Sequence, residues 1–460
     1  MRKRVVMDQA LDQITNFVTK TQPQDLPDNV IQHVTGILVD SIACSMASRD
    51  CPGARAAEAM PVLPRGKGGI VIGSCAVTSL DMAAFWNTSM IRYTDYNDTF
   101  TGGHPSDILG ALIAVCGTKP ISGLTLLSGI AVAYEVFHRI SVRHRSYRKD
   151  HGAIVDYLSI DQGFAVAIAA AAGLAHMLGY DYDKTRTSIS LAATNGLPLR
   201  ASRSGELSHY KGVATAVSTR QAVFACQLAE HGLTGPSDPF EGRHGFIEVM
   251  EGKAGPMNLE PFGEWAVLRS GLKYFPATAN SQIGIWAAIK LREELDISKL
   301  HEVILHTSRF LWHESGSEPA KWAPTTRETA DHSLPYIVAV ALLDGNVTLE
   351  SYSQEMLTSA RVRDMMKKIR VEVDQKIESE WPGAIQIRAT AMMLDGTTRE
   401  VHARDPKGTY RTPMSREDIK VKFRQLVTPV LGMKTDNVFD QTWSIAKSDD
   451  CKNVFDLLIA

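Results

Sequence analysis

Residues 93–107, YTDYNDTFTGGHPSD, place acidic side chains, one histidine and two adjacent glycines between two predicted helices. Loops on a rigid scaffold are where catalytic groups concentrate. The next helix begins beside the histidine, and its free backbone N–H groups suit a carboxylate or a phosphate. The stretch therefore fits proton transfer next to a bound anion. Its candidate side chains are Asp95, Asp98, Thr99 and His104.

The same loop also has a purely structural interpretation. Asp98 and Ser106 would then cap helices, with Ser106 as the N-cap of the helix that follows, and His104 would be a polar surface residue. The glycines would only turn the chain. Both interpretations are compatible with this stretch taken alone. A metal site fits less well, because the acids and the single histidine lack a familiar ligand spacing.

A basic cluster follows in LPLRASRSGELSHYKGVATA, residues 197–216, where Arg200, Arg203 and Lys211 precede an alanine-rich helix. Guanidinium groups bind carboxylates in a bidentate manner. A lysine near a helix start adds positive potential, or serves as a base if it is desolvated. An exposed basic loop is the simpler interpretation of this stretch by itself.

Two further segments carry polar residues at points where the apparent structure changes. GLKYFPATANSQ places Lys273 at the junction between two apparent domains, and TADHSLPYIVAVALLDG opens a helix with Asp331, His332 and Tyr336. Taken alone, His332 would cap this helix and Tyr336 would be a core residue. The sequence contains no P-loop, zinc-protease or nucleophile-elbow pattern.

The elements that must position these residues change type along the chain. Apolar residues recur with a helical period from residue 8 to about residue 260, which predicts an all-α region. Besides the helices near the N-terminus, this region should contain helices at about 122–140, 163–178, 184–195 and 211–231. The apolar, alanine-rich stretch at 163–179 is short for a bilayer, and we expect a central packed helix.

The pattern changes near Lys273. Alternating apolar residues predict strands at 303–307 and 369–373, and a hairpin that turns at Asp395-Gly396. Between them lie helical patterns at about 280–294, 332–343 and 353–367. The sheet should be mainly antiparallel. After DPKGTYRTP the helical period returns, with a capping box at Ser415 and Asp418.

The predicted fold is therefore α with an α+β lid. A large all-helical domain comprises residues 1–270, and a smaller α+β lid domain comprises residues 271–409. Residues 410–460 form C-terminal helices that return to the helical domain. A chain of 460 residues exceeds the size at which a single core keeps growing, which agrees with two domains.

Composition excludes several classes of function. The chain has 49 basic and 51 acidic residues and a net charge of -2, so no global field favours nucleic acid or an anionic membrane. Its six cysteines are scattered without any C-x-x-C pair, which argues against a zinc ribbon, an iron–sulfur cluster or a disulfide scaffold. We expect a cytoplasmic protein. The basic, non-apolar start leaves a mitochondrial address open for a eukaryotic source.

Taken together, four segments resemble the MmgE/PrpD family, which includes 2-methylcitrate dehydratase, cis-aconitate decarboxylase and iminodisuccinate epimerase. The resemblance covers about residues 8–445 and rests on DYNDTFTGGHPSD, GELSHYKG with HGLTGPSDPFEGRHGF, LKYFPATANSQ and DHSLPYIVAVALLDG. It implies a helical domain with an inserted α+β lid, a homodimer, and a site between domain and lid. It also implies chemistry on a small di- or tricarboxylate without a metal or a cofactor.

Carried onto this sequence, the resemblance implies that His104 is a proton carrier and that Lys211 is an anion anchor or a base. Lys273 would bind a substrate carboxylate from the interdomain side. The predicted catalytic residues are His104, Asp95, Lys211 and Tyr336. The predicted substrate-binding residues are Thr99, Arg200, Arg203, Lys273, Gln162 and Asn280.

The sequence departs from the family pattern at two of these positions. Where the dehydratases tend to have Asp-His, this chain has Asp161-Gln162, and Asn280 stands where many members have a histidine. Glutamine cannot act as a general acid or base. The additional segment RHRSYRKDHGAIVDY offers His144 or His151 as a spatial replacement. We expect a dehydratase or decarboxylase, with an epimerase or isomerase, or a non-catalytic carboxylate binder, as the alternatives.

Overall fold

Apolar side chains gather into two separate hydrophobic cores in the computed structural model. The structure describes residues 8–60, 68–144, 147–150, 153–157, 160–195, 197–203 and 207–459, and for residues 143–157 it describes only the backbone. The first core is built from residues 10–272 together with residues 419–458. The second core is built from residues 275–403. The molecule is therefore a helical domain plus an α+β domain.

The first core is surrounded by helices whose ends carry ordinary capping signals. Asp8 caps the first helix by accepting from the Leu11 N–H, and Ser79 caps the fourth by accepting from the Met82 N–H. These helices are α1 (Gln9–Lys20), α2 (Asp28–Met46), α3 (Pro52–Ala59), α4 (Leu80–Tyr93), α5 (Leu109–Ala114), α6 (Gly123–His144), α7 (Gly163–Leu178), α8 (Tyr182–Thr194), α9 (Ala214–Glu230) and α10 (Phe246–Glu251).

Helix α7 is the predicted central helix. Its residues from Gly163 to Ala175 are all buried, and it packs against α6, α8 and α9. Alanine on most faces lets these neighbours approach closely. Over the described ranges, no helix combines the length and the apolar character that crossing a bilayer requires.

The α+β domain contains a four-stranded sheet in the order β6-β5-β7-β8. Its strands are β5 (Leu300–Thr307), β6 (Ile369–Val373), β7 (Gln386–Met393) and β8 (Thr398–Arg404). Strand β5 pairs parallel with β6, whereas the β5–β7 and β7–β8 pairs are antiparallel. The predicted hairpin at Asp395-Gly396 is confirmed, with Gly396 at φ 84°. The expectation of a mainly antiparallel sheet is confirmed as well.

Helices cover this sheet and connect its strands. They are α11 (Gln282–Glu294), α12 (Arg309–Gly316), α13 (Pro319–Trp322), α14 (Arg327–Ala330), α15 (Leu334–Asp344), α16 (Gln354–Thr358), α17 (Ala360–Met366) and α18 (Gln375–Glu380). The single helix predicted at 353–367 is wrong. Ser359 adopts an extended conformation with ψ 121° and separates α16 from α17.

The expectation of an all-α N-terminal region also needs correction. Strand β1 (Asp98–Thr99) pairs antiparallel with β4 (Gly271–Leu272), and strands β2 (Tyr147–Asp150) and β3 (Ala153–Tyr157) form a hairpin. Such short strands leave no alternating pattern in the sequence. The β1–β4 pair matters for the site, because it joins the loop of His104 to the segment that leads into the second core.

The last helices of the chain lie on the first core. They are α19 (Arg416–Leu431), α20 (Thr435–Trp443) and α21 (Lys452–Asp456). Helix α19 begins with the predicted capping box of Ser415 and Asp418 and packs against α2. Phe423 is fully buried there. The exact domain boundaries, at residues 270 and 409, stay predictions.

Candidate active site

Asp95 lies at the centre of a buried cluster of charged side chains. It follows helix α4, has a positive φ of 48°, and is ion-paired with Arg92. Lys273 approaches from the interdomain segment, with its Nζ 2.9 Å from Asp95 Oδ1 and 2.9 Å from the backbone carbonyl of Asp95. Burial alone would raise the pKa of Asp95, but the positive charges of Arg92 and Lys273 hold it well below the usual value. Asp95 is therefore a carboxylate at neutral pH.

His104 presents an unprotonated nitrogen to this cluster. Its Nδ1 lies 2.7 Å from the backbone carbonyl of Asp98, and because a carbonyl only accepts, Nδ1 carries the hydrogen. The lone pair is therefore on Nε2, which lies 3.9 Å from Asp95 Oδ1. Burial and the positive charges of Arg92 and Lys273 lower the pKa of His104 well below its ordinary value. The ring stays neutral at pH 7 and is 15% exposed.

Asp98 stabilises the loop that carries His104. Its carboxyl group accepts hydrogen bonds from the hydroxyl groups of Ser106 (2.6 Å) and Tyr134 (2.7 Å). Burial raises the pKa of Asp98 to about 7. The expected N-cap at Ser106 is wrong, because a 3-10 turn, Pro105–Ile108, precedes helix α5 and contains this serine. Asp98 has a structural role in the loop, but it lies on strand β1 and is not the helix cap that one interpretation expected.

Gln162 contacts the same loop from the other side. Its Oε1 accepts a hydrogen bond of 2.8 Å from the backbone N–H of His104. This approach requires glycine at position 103, since a Cβ there would lie 1.5 Å from Gln162 Oε1 and the backbone has φ 149°. The Nε2 of Gln162 has no hydrogen-bond partner within the described ranges. Gln162 therefore orients the loop through its oxygen and keeps a donor free.

A second histidine reaches the cluster from the α+β domain. His332 Nε2 lies 3.7 Å from Asp95 Oδ2, so Asp95 stands between two imidazoles. Its Nδ1 contacts the carboxylate of Asp331 and lies 3.1 Å from Lys211 Nζ. Burial, followed by the charge of Lys211, lowers the pKa of His332 to about 4. Its side chain is 20% exposed.

Lys211 connects the helical domain to this histidine. Its Nζ lies 3.2 Å from Asp331 Oδ1, and its side chain is only 4% exposed. Burial lowers the pKa of Lys211 to about 8, although Asp331 and Asp95 oppose the shift. A lysine of this kind is protonated at neutral pH and can release its proton more readily than an exposed one.

Arg327 joins the two domains beside the cluster. It donates a hydrogen bond of 2.6 Å to the backbone carbonyl of Tyr93 and stacks over the Tyr93 ring at 4.4 Å. Its other terminal nitrogen lies 3.8 Å from Asp331 Oδ2. The end of helix α4 is thereby held against the α+β domain.

The cluster carries more positive than negative groups. Asp95, Asp331 and His332 offer ligand atoms within 4.8 Å of one another, a spacing that could hold a metal ion. Both carboxylates, however, already contact buried ammonium or guanidinium groups, which a divalent cation would have to displace. The local charge therefore suits an anion better than a cation.

The structure brings His104, Asp95, Lys211, Lys273 and Gln162 together. Lys273 is completely buried against Asp95, so it faces this carboxylate and not the open side of the site. The expectation for Tyr336 needs correction. Its hydroxyl donates to the Ser351 carbonyl at 2.7 Å, and the ring lies within the second core.

The remaining predicted residues lie around the cluster. Two of the three nitrogens of Arg203, Nε and Nη2, contact Asp161, and Arg200 Nη2 lies 3.5 Å from Glu314. Thr99 is half-buried on strand β1. Asn280 is half-buried in the 3-10 turn Ala279–Ser281, and no hydrogen bond among the described residues links it to the cluster. His151 lies outside the described residues, as does the side chain of His144.

Sequence reasoning missed two members of the cluster. His332 follows Asp331 directly and precedes the true cap, Ser333, so it looked like a capping residue. Arg92 is the other member, and a usable signal for its buried ion pair is its place directly after the apolar Met90 and Ile91, three positions before an aspartate.

Comparison with known proteins identifies the family. Residues 12–258 match the MmgE/PrpD N-terminal domain, and residues 275–445 match the MmgE/PrpD C-terminal domain. Alkylcitrate dehydratase phiI of a fungal species is 26% identical over 428 residues, which span 84% of this chain and 82% of that protein.

Two other relatives show the same range of similarity. 2-Methylcitrate dehydratase of Salmonella typhi is 27% identical over 72% of this chain and 71% of its own length. Cis-aconitate decarboxylase-like protein oryM of Aspergillus oryzae is 24% identical over 97% of this chain and 96% of its own length. With both family domains matched in order along the two cores, the chain belongs to the MmgE/PrpD family.

Proposed function

We propose that this protein is a cofactor-independent lyase that removes water or carbon dioxide from a small di- or tricarboxylate. The observation that carries the proposal is the lone pair of His104 Nε2 beside Asp95, in a cluster with excess positive charge. The relatives named as alkylcitrate and 2-methylcitrate dehydratases and as a decarboxylase-like protein support this class of reaction.

The substrate class is inferred from the positive charges of the cluster. Lys211 Nζ lies 3.1 Å from His332 Nδ1, and the charge of Arg203 acts on Lys211. Ammonium and guanidinium groups bind carboxylates strongly. Arg203 shares its charge with Asp161 through Nε and Nη2, so Nη1 is the nitrogen that no hydrogen bond among the described residues occupies. The Nε2 of Gln162 is buried and has no hydrogen-bond partner among the described residues, so it would supply a neutral donor for a further carboxylate or hydroxyl oxygen once the site opens. A citrate-like or 2-methylcitrate-like acid has oxygens to match these groups.

The proton transfers can be assigned to the chain's own residues. In dehydration, His104 Nε2 removes a proton from the carbon next to a carboxylate, and Asp95 stabilises the resulting imidazolium. Lys211, protonated at neutral pH, donates a proton to the leaving hydroxyl group. In decarboxylation, the departing carbon dioxide leaves its electron pair on carbon, and a proton delivered to that carbon completes the reaction.

We propose in addition that the α+β domain acts as a lid. Asp331, His332 and Arg327 all reach the cluster from this domain, so displacement of the domain would open the site. The homodimer expected from the resemblance remains part of this proposal.

One observation favours an epimerase as a second candidate. His104 and His332 flank Asp95 at 3.9 Å and 3.7 Å, and both have lowered pKa values. In such a reaction one neutral imidazole removes a proton from one face of the substrate carbon, and the other imidazole, entering the cycle in its protonated form, delivers a proton to the opposite face. Such a reaction needs no acid for a leaving group.

The test is proton NMR of the purified protein in deuterated buffer. The panel is citrate, 2-methylcitrate, cis-aconitate, an aspartate-like diacid and a tartrate-like diacid. An alkene or a decarboxylated product supports the lyase, whereas deuterium incorporation without loss of a group supports the epimerase. Thermal stabilisation without turnover supports a non-catalytic binder, and absence of both effects contradicts carboxylate binding. The His104→Gln variant, which lacks the base, is the control for contaminating activity.

A further inference from the structure

Lys422 lies on helix α19, yet its ammonium group contacts the two segments that carry Asp95 and Lys273. Its side chain is 4% exposed, and its Nζ lies 2.6 Å from Asp40 Oδ1. It donates hydrogen bonds to the backbone carbonyls of Tyr96 (2.6 Å) and Lys273 (2.9 Å). One ammonium group therefore joins parts of the chain that are separated by 326 and 149 residues.

These contacts use the hydrogen-bonding capacity of the ammonium group. A protonated lysine has three N–H donors, and Lys422 has three oxygen neighbours. It also lies over the Tyr96 ring, 3.8 Å from the centroid. Lys422 borders a cavity of about 1250 Å³, which Tyr274 and Trp286 also line, but its two hydrogen bonds and its ion pair are all made to the protein.

The two carbonyls that Lys422 binds are next to the central ion pair of the site. Tyr96 follows Asp95 directly, and Lys273 is itself the partner of Asp95. The same segments are joined by a hydrogen bond of 2.7 Å from the Tyr96 hydroxyl to the Tyr274 carbonyl and by the β1–β4 pair. The position of each backbone oxygen fixes the direction from which the neighbouring side chain enters the site.

We propose that Lys422 is a positioning residue, which holds the backbones of residues 96 and 273 so that Lys273 meets Asp95 beside His104. Asp40 supplies the countercharge that keeps this ammonium group in the interior. Displacements of about 1 Å in a catalytic arrangement can lower a rate about 100-fold. The effect on turnover rests on the proposed function, whereas the effect on the backbone does not.

The test compares a double variant with a surface control. Lys422→Met alone would leave Asp40 buried without a partner and could prevent folding. The double variant Asp40→Asn/Lys422→Met removes both charges and keeps side chains of similar size. Lys420→Met is the matched control, since Lys420 lies on the same helix, pairs with the exposed Asp440 and lies over the Phe439 ring, away from Tyr96 and Lys273.

For a substrate found by NMR, we expect the double variant to keep the Kd of the wild type and to lose about 100-fold in kcat. The Lys420→Met variant should retain both values within about twofold. A folded double variant with unchanged kcat would show that Lys422 only neutralises Asp40, and would overturn the proposal. A weakened Kd with an unchanged kcat would overturn it as well, because Lys422 would then act on binding and not on positioning.

Backbone hydrogen exchange provides a measurement that needs no substrate. We expect the amides of residues 96–99 and 271–274 to exchange at least tenfold faster in the double variant, whereas the amides of helix α19 should exchange at an unchanged rate. Unchanged exchange in these segments would contradict the proposal. If no polycarboxylate is turned over by the wild type, the proposed function fails, but the exchange result still decides whether Lys422 holds the two segments.

Discussion

His104 and Asp95 approach each other without forming a hydrogen bond, with Nε2 and Oδ1 3.9 Å apart. The distance exceeds hydrogen-bonding range, so the lone pair on Nε2 is not tied to a partner. It is short enough for the carboxylate to stabilise a positive charge on the ring. His104 therefore keeps an available basic nitrogen, and Asp95 supplies a fixed negative charge beside it.

The first prediction concerns His104→Gln. If His104 is the general base, this variant should lose between about 100-fold and 10,000-fold in kcat while the Kd for a polycarboxylate changes little. Steady-state kinetics and isothermal titration calorimetry measure the two quantities. His301→Gln, an exposed substitution on strand β5, serves as the control. Equal losses in affinity and turnover would assign His104 to binding.

The second prediction concerns pH. His104 has a pKa well below 6.5, so the base remains available throughout the neutral range. Lys211 has a pKa of about 8, so rising pH removes the proton that the leaving group needs. The dehydration rate, measured as kcat/KM, should be level near neutrality and should fall above pH 8.

The Lys211→Arg variant tests this assignment. A guanidinium group keeps its proton, so the fall above pH 8 should disappear and the rate should be at least about tenfold lower, since arginine is a poorer acid. If the fall of the rate above pH 8 persists unchanged in this variant, a group other than Lys211 must cause it.

The third prediction uses Gln162, which accepts a hydrogen bond from the His104 backbone. In Gln162→Glu, a carboxylate can accept the same bond but places a negative charge beside the ring. The charged form of His104 would be favoured, so its pKa should rise and the acidic limb of kcat/KM should move to higher pH. Gln162→Ala should lower the rate without this shift. Identical profiles in the two variants would contradict the electrostatic explanation.

The fourth prediction concerns the contribution of Arg203 to the stability of the folded protein. Asp161 is completely buried and Arg203 is its ion-pair partner, so Arg203→Met should reduce the free energy of unfolding by about 3 kcal/mol. Urea denaturation measures this change. Arg220→Met, which breaks an exposed pair with Asp81, should cost no more than about 0.5 kcal/mol.

The pH dependence of this loss has a definite sign. Burial opposes the charged form of Asp161, but Arg203 lowers its pKa below the ordinary value of 3.8. The pair therefore stabilises the folded state above pH 3.8, and the contribution is lost as pH falls through the lower, folded value. The gap between wild type and Arg203→Met should shrink in acid. A gap that stays constant down to acid pH would contradict the ion-pair explanation.

Much of the fold was predictable because long elements leave periodic patterns. The helical period revealed α6 through α9, and strict alternation revealed β5 to β8. Short elements cannot be predicted in this way, because two residues cannot show a period. The β1–β4 pair is such a case, and it connects positions 98 and 272.

The site was predictable in part. Asp95, His104 and Lys211 were found because each lies in a distinctive segment. The contact of Lys211 with His332 spans 121 residues, and no local spacing records it. Tyr336 was assigned wrongly because the sequence does not show which side of helix α15 faces the cluster. Its ring instead packs in the second core.

The return of α19 to the first core has a consequence for protein synthesis. Phe423, Val427 and Phe439 fill the first core beside residues of α2, which leave the ribosome almost 400 positions earlier. The nascent helical domain thus exposes apolar surface while the entire α+β domain is being translated. A chain that ended at residue 409 would contain every residue of the second core but would lack the residues of α19 and α20 that complete the first. Such a chain is a natural client for chaperones.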